Sequence, residues 1–200
     1  MPRIQNDCIH TIEIKKSKFI TYLHRTQDEL EAKEFLKCIK KEHPNANHHC
    51  TAMIIGQIMR SNDDGEPSQT AGHPMLDVLI HHQMQDILVI VVRYFGGIKL
   101  GTGGLVRAYS QSVAQALEQA TLTEVITLHE YKIQFAYDFI GKVDHYFRSQ
   151  NIEILEKEYD SQITYYFACK NDLEKDLMEL SNGTICPEFI QDIETECAIL

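Results

Sequence analysis

The spacing of apolar residues along the first 121 positions switches between two and about 3.6, the repeats of a strand and of a helix. Period-two alternation near the amino end predicts two strands joined by a hairpin at Lys16 and Ser17. Thr26 and Glu29 have the spacing of a capping box with Thr26 as N-cap, and the helix that follows stops before Pro44. The predicted elements of this half are strands 8–15 and 18–23, a helix over 26–43, strand 48–55, a helix over 74–84, strand 87–92 and a helix over 105–117.

After a break near 121–124 the remaining residues predict a second set of elements. These are strand 125–136, a helix over 139–150, strands 152–159 and 162–169, a helix over 173–180 and strand 188–195. The order β-α-β-β-α-β is that of a ferredoxin-like fold. Asn182 and Gly183 suit the left-handed conformation that ends a helix. The sequence therefore predicts an α+β protein with two domains, 1–121 and 122–200.

Charge is distributed unevenly between these two predicted domains. Residues 1–121 carry 13 Lys and Arg against 13 Asp and Glu, whereas residues 122–200 carry 6 against 16, which accounts for the net charge of −10. Such an acidic second half argues against nucleic acid that wraps around the whole surface, but it is compatible with a local basic patch on the first half. No apolar run approaches the roughly 20 residues of a membrane span, and the N-terminus lacks the apolar core of a signal peptide. Six dispersed cysteines without a CxxC pair predict reduced thiols in a cytoplasmic protein.

Candidate chemistry is concentrated after the buried strand 87–92, where five glycines occur in the nine residues 96–104. Unpaired N–H groups at the start of the following helix, and the helix dipole, favour an anion there. The predicted anion-binding residues are Arg93, Gly96, Gly97, Lys99, Gly101, Thr102, Gly103, Gly104 and Arg107. Two sharper motifs are excluded, because Thr102 replaces the lysine of a phosphate loop and Val106 the last glycine of a dinucleotide fingerprint. The same glycines could instead serve only the packing of a tight turn.

A second group of candidates precedes this segment. His48 and Cys50 share one face of their predicted strand, but no spacing typical of zinc ligands accompanies them, and no metal site is predicted. The acidic loop 63–66 is interpreted as a solvated turn, as a partner of the arginines across a cleft, or as a divalent-cation site. If the chain is an enzyme, Asp64 and Glu66 would bind Mg²⁺ or act as base, and His48 would transfer protons.

Three blocks of the sequence resemble the signature of one family. They are NANHHCTAMIIG at 45–56, NDDGEPSQTAGHPML at 62–76 and ILVIVVRYFGGIKLGTGGLVRAY at 87–109. The chain resembles the two-domain bacterial branch of the IMPACT family, often called YigZ-type. It departs from the family pattern at Thr51, where an aromatic residue is usual, at Gln69, where Gly is usual, and at His73, where Arg is common.

The resemblance implies a first domain similar to domain 2 of ribosomal protein S5 and a ferredoxin-like second domain similar to the last domain of elongation factor G. Both likenesses indicate translation, although a fold alone does not fix a function. We therefore expect a non-enzymatic protein without a cofactor that binds RNA, the ribosome or a translation factor through its glycine-rich anion site, which would hold a phosphate-bearing ligand. Lys99 would contact the phosphate, and Tyr94 and Phe95 would offer stacking surface if exposed. The alternative is an enzyme that acts on a phosphorylated or nucleotide substrate with a divalent metal.

Overall fold

The structure, a computed structural model, describes residues 1–199 and divides into two units, Met1–Glu124 with the residues from Cys197 onwards, and Val125–Glu196. The first unit contains β1 (Pro2–Ile4), β2 (Cys8–Ile14), β3 (Ser17–Arg25), α1 (Glu29–Glu42), β4 (His48–Ile55), β5 (Ile58–Asn62), α2 (Gly72–His81), β6 (Ile87–Tyr94) and α3 (Thr102–Gln119). Five of its strands form an antiparallel sheet in the order β2-β3-β6-β4-β5. Strand β1 lies outside this sheet and pairs with the first residues of β7 (Leu122–Phe135).

Strand β6 lies at the centre of this sheet and is buried on both faces. Val89 and Val91 pack with α2 and α3 on one side, whereas Leu88 and Ile90 pack with α1 on the other. A strand covered on both faces needs apolar residues at every position, which explains its uninterrupted run from Ile87. Because β6 ends at the glycine-rich segment, the central strand carries that segment to the rim of the sheet.

The boundaries of several elements differ from the predictions. Asp28, not Thr26, is the N-cap of α1, and its carboxylate accepts the N–H of Leu30 at 2.9 Å. Thr26 instead accepts the Asp28 N–H with its hydroxyl oxygen at 3.2 Å. Helix α2 stops at His81 rather than near residue 84 because Gln83 adopts a φ of 54°, which a right-handed helix does not allow. Strands β1 and β5 were not predicted.

The second unit contains the rest of β7, α4 (Ile140–Ser149), β8 (Ile154–Tyr159), β9 (Ile163–Cys169), α5 (Glu174–Ser181) and all but the last two residues of β10 (Glu188–Ala198). Its strands follow the order β10-β7-β9-β8. Apolar residues of β7 and β9 pack against Val143, Phe147 and Leu177 of the two helices. Asn182 ends α5 with a φ of 52°, in the left-handed region. The α+β class and the β-α-β-β-α-β order of the second half are confirmed. None of the helices within residues 1–199 combines the length and the apolar composition that crossing a bilayer requires.

Candidate functional site

The loop between β5 and α2 carries three carboxylates, and the first of them holds the helix that follows. Asp63 accepts hydrogen bonds from three backbone N–H groups, those of Gln69 at 2.8 Å, Ala71 at 3.0 Å and Gly72 at 2.8 Å. Ala71, at the N-cap position of α2, makes no side-chain capping bond in the described part of the chain. Asp63 therefore replaces the missing cap from eight residues upstream.

Asp64 has a different set of donors, on β4 and α1. Its carboxylate accepts the backbone N–H of His49 at 2.7 Å and the ammonium of Lys40 at 3.0 Å. Burial by itself raises the pKa of Asp64, but these two donors outweigh it, and the pKa lies below its usual range. The carbonyl oxygen of Asp64 accepts a hydrogen bond from His48 Nδ1 at 2.9 Å. This predicted catalytic carboxylate thus fastens the loop to the sheet and to α1.

Glu66 lies deeper than the other two, with 3% of its side chain exposed. It accepts hydrogen bonds from Arg93 at 2.5 Å and from the hydroxyl of Tyr109 at 2.8 Å, and His48 Nε2 lies 3.8 Å away. Arg93 is also buried, with 6% of its side chain exposed, and its Nε has no hydrogen-bond partner among the described residues. The charge of Arg93 is therefore compensated by Glu66. Arg107, the other predicted partner of the acidic loop, is exposed and donates to the Gly103 carbonyl within its own helix at 3.2 Å.

Cys50 and Tyr109 continue this network into the core. Cys50 Sγ lies 3.3 Å from the Tyr109 hydroxyl and 3.0 Å from the Asp63 carbonyl oxygen. Burial raises the pKa of Cys50 to about 12, and burial followed by the neighbouring Cys50 raises that of Tyr109. Both groups therefore keep their protons at neutral pH, which excludes Cys50 as a thiolate nucleophile in this conformation. His49, on the opposite face of β4, lies 3.2 Å from the His43 carbonyl oxygen through its Nε2.

The glycines after β6 have distinct structural settings. A Cβ on Gly96 would lie 2.0 Å from the backbone of Lys16, so only glycine fits there. Gly97 and Gly101 have φ values of 83° and 74°, in the region that favours glycine. A Cβ on Gly103 would meet nothing within 4 Å beyond its chain neighbours and the nearby backbone of its own helix, among residues 1–199. Close packing thus explains Gly96 and backbone conformation explains two others, whereas neither explains Gly103.

Helix α3 begins beside a pocket of about 440 Å³. Its N-cap residue, Gly101, has no side chain with which to cap the helix, and the first turn carries no acidic residue. The pocket is lined by Asn47, His48, Glu66, Pro67, Arg93, Phe95, Lys99, Leu100, Gly101, Thr102 and Leu105. The N–H groups of the first turn and the Lys99 ammonium make this end of the pocket favourable for an anion.

The pocket brings together part of the predicted site. His48, Glu66, Arg93, Lys99, Gly101 and Thr102 line it, whereas Asp64, Gly96, Gly97, Gly103, Gly104 and Arg107 do not. Asn47 and Tyr109 were not among the predicted site residues. Asn47 Oδ1 accepts the Phe95 N–H at 2.8 Å, and Tyr109 reaches Glu66 from the buried face of α3. Tyr94 is not available for stacking, because it is half-buried and its hydroxyl lies 2.9 Å from His43 Nδ1. Up to Ile199, no three His, Cys, Asp or Glu side chains form a group that could hold a metal ion.

Fold and site together define a two-unit α+β protein whose first unit carries a pocket at the start of a glycine-flanked helix. The Impact N-terminal domain matches residues 15–117, and a domain of unknown function, DUF1949, matches residues 133–184. The chain belongs to the IMPACT family, as the three sequence blocks indicated.

Similar proteins span most of the chain. It is 41% identical over 181 residues to the IMPACT family member YvyE of Bacillus subtilis (strain 168). The matched region covers 87% of this chain and 83% of that protein. It is 42% identical over 154 residues to the IMPACT family member YigZ of Escherichia coli (strain K12), covering 74% and 76%. A crystal structure described as that of a hypothetical protein has a TM-score of 0.60 at 35% identity and covers 95% of this chain and 97% of that one.

Proposed function

We propose that this chain is a non-enzymatic binding protein of translation, which holds a phosphate group of RNA at the start of α3. The observation that carries the proposal is the uncapped first turn of α3 at a pocket that Lys99 also lines. The N–H groups of Thr102 and the following residues are the donors that a phosphate needs. The link to translation rests on the family resemblance to domains of ribosomal protein S5 and elongation factor G.

The charges around the pocket support an anionic ligand. Glu66 and Arg93 compensate each other, so Lys99 supplies the net charge of the pocket lining. A single lysine beside a helix start is a modest electrostatic site, which fits a contact to one phosphate rather than to a long stretch of backbone.

The alternative is an enzyme that acts on a phosphorylated or nucleotide substrate with a divalent metal. It would use Asp64 and Glu66 as metal ligands or base and His48 for proton transfer. Asp64 already accepts hydrogen bonds from Lys40 and His49 and does not line the pocket. Glu66 already accepts hydrogen bonds from Arg93 and Tyr109. Because both carboxylates have these partners, we favour binding over catalysis.

The test compares Thr102→Asp with Thr102→Asn in the full-length protein. A carboxylate at the first position of α3 interacts favourably with the helix dipole but repels a phosphate. We expect Thr102→Asp to raise or maintain the melting temperature while weakening the binding of a short fluorescent single-stranded RNA at least about tenfold in anisotropy titrations. Thr102→Asn, which adds no charge, should bind much more tightly than Thr102→Asp.

Salt titrations provide a second measurement on the same site. Lys99→Gln should lower the salt dependence of RNA binding by about one counterion. Lys37→Gln, which removes an exposed lysine of α1, is the matched control and should leave it unchanged. Equal effects of the two lysine substitutions would contradict the proposal. Mg²⁺-dependent turnover of a nucleotide, lost in Asp64→Asn, would favour the enzyme instead.

A further inference from the structure

Phe95 is an exposed aromatic residue on a firmly held piece of backbone. Its side chain lines the pocket, although 45% of the residue is exposed. Its N–H donates to Asn47 Oδ1 at 2.8 Å, and the N–H of Gly96 donates to Ser17 Oγ at 3.2 Å. Because a Cβ on Gly96 would overlap the Lys16 backbone, the chain is clamped directly after Phe95. Because this backbone is already held, a ligand that stacks on the ring does not have to order the backbone as well.

The side chain of Arg93 lies against the ring of Phe95. The guanidinium carbon of Arg93 lies 5.7 Å from the centroid of Phe95 and 5.4 Å from that of Phe19. Arg93 is in turn held by the buried carboxylate of Glu66. The ion pair therefore positions an aromatic surface at the pocket in addition to closing the acidic loop.

The remaining walls of the pocket differ from one side to the other. Pro67, Leu100 and Leu105 are apolar, whereas Lys99 and the start of α3 are suited to an anion. The volume of about 440 Å³ lies in the range of small-molecule sites. A ligand that matches this lining has a flat, weakly polar ring and a phosphate on the same small unit.

We infer that the pocket takes a nucleotide with an unpaired base, which stacks on Phe95 while its phosphate lies at the start of α3. This inference rests on the proposed function and adds the base to it. A base within a duplex is stacked on its neighbours and has no free face, so the ligand is a free mononucleotide or an unpaired nucleotide of RNA. Phe95 is the residue that distinguishes a nucleotide from a bare phosphate.

The experiment uses the full-length protein and three ligands, which are adenosine monophosphate, a short oligoadenylate RNA and an abasic RNA of the same length. Base–aromatic stacking is large enough that the wild-type protein should bind the oligoadenylate about tenfold more tightly than the abasic strand. Phe95→Ala should abolish this difference without weakening the binding of the abasic strand. Phe95→Tyr, which keeps an aromatic face, should restore it.

Ile98→Ala is the matched control, because Ile98 is also exposed, at 43%, but does not line the pocket. Melting temperatures establish that each variant is folded. If Phe95→Ala weakens both strands equally or neither strand, the inference is overturned while the phosphate site stands. If the wild-type protein binds none of the three ligands, both the inference and the proposed function fail. If it does bind, the affinity for adenosine monophosphate relative to that for the RNA identifies whether the pocket prefers a free nucleotide or a nucleotide of RNA.

Discussion

Substitution of Asp63 by alanine tests how the acidic loop is built. This carboxylate accepts three backbone N–H groups at the start of α2, where no other side chain caps the helix among the described residues. Ala71 and Gly72 are buried, so their N–H groups would lose an acceptor that water replaces poorly. Gln69 is exposed, and its N–H can turn to water.

The expected cost follows from these burials. A buried N–H group left without an acceptor costs about 1–3 kcal/mol, and two such groups give about 2–6 kcal/mol. Because the start of the helix can shift towards solvent, we expect about 3 kcal/mol, near the upper end for a single substitution. The N–H groups of Ala71 and Gly72 share one oxygen of Asp63, so Asp63→Asn can keep both bonds and should cost only about 1 kcal/mol. Asp77→Ala, on the exposed side of the same helix, loses only an i,i+4 contact to His73 and should cost less than about 0.5 kcal/mol.

Hydrogen exchange followed by mass spectrometry is the suitable assay, because a chain of two units need not unfold in a single transition. A loss of 3 kcal/mol corresponds to roughly 100-fold faster exchange of the amides of α2. Amides of β9, in the second unit, provide an internal reference that should not change. Exchange in Asp63→Ala no faster than in Asp77→Ala would refute the idea that this carboxylate holds the helix.

Two further predictions concern the glycine-rich segment and the acid sensitivity of the loop. Gly96→Ala should lower the free energy of unfolding by at least about 3 kcal/mol, because its Cβ would lie 2.0 Å from backbone atoms. Gly103→Ala should instead raise the free energy of unfolding by up to about 1 kcal/mol through its higher helix propensity. Thermal melts of the two variants distinguish these outcomes. Since the pKa of Asp64 is lowered on folding, its contribution to stability is complete above about pH 4 and is lost as the pH falls further. The difference in melting temperature between the wild-type protein and Asp64→Asn should therefore shrink between pH 6 and pH 3, and a constant difference would contradict this assignment.

The elements that sequence patterns predicted well are those whose burial follows a simple period. The apolar run from Ile87 and the alternation in β2 and β3 both follow from which faces the sheet buries. Strand β5 was missed because all of its residues are exposed, so no buried face imposes a pattern on its sequence. The N-cap of α1 was misplaced because Thr26 and Asp28 are both good capping residues, and only the local backbone decides between them.

The chemistry of the candidate site depended on contacts that the sequence does not encode locally. Arg93 was predicted both as an anion-binding residue and, in one interpretation, as a partner of the acidic loop, and in the structure its charge is compensated by Glu66, which lies 27 residues earlier in the chain. This pairing exists because β4 lies beside β6 in the sheet and the acidic loop folds over both. Tyr109 completes the pair from α3, where its apolar spacing indicated only a core position. The ion pair with Glu66, which depends on the sheet topology, therefore makes Arg93 a support for the pocket.

The glycines of residues 96–104 form one motif in the sequence, but different physical requirements explain them. Gly96 is fixed by the neighbouring backbone, and Gly101 by its positive φ. Gly103 satisfies neither requirement, and a glycine within a helix costs stability relative to alanine. A phosphate at the start of α3, as proposed above, would supply the missing reason, since the absence of a side chain there leaves the N–H groups of the first turn open to approach. On this argument Gly103→Ala should weaken RNA binding even as it stabilises the helix, whereas a pure packing role for the glycines would leave binding unchanged.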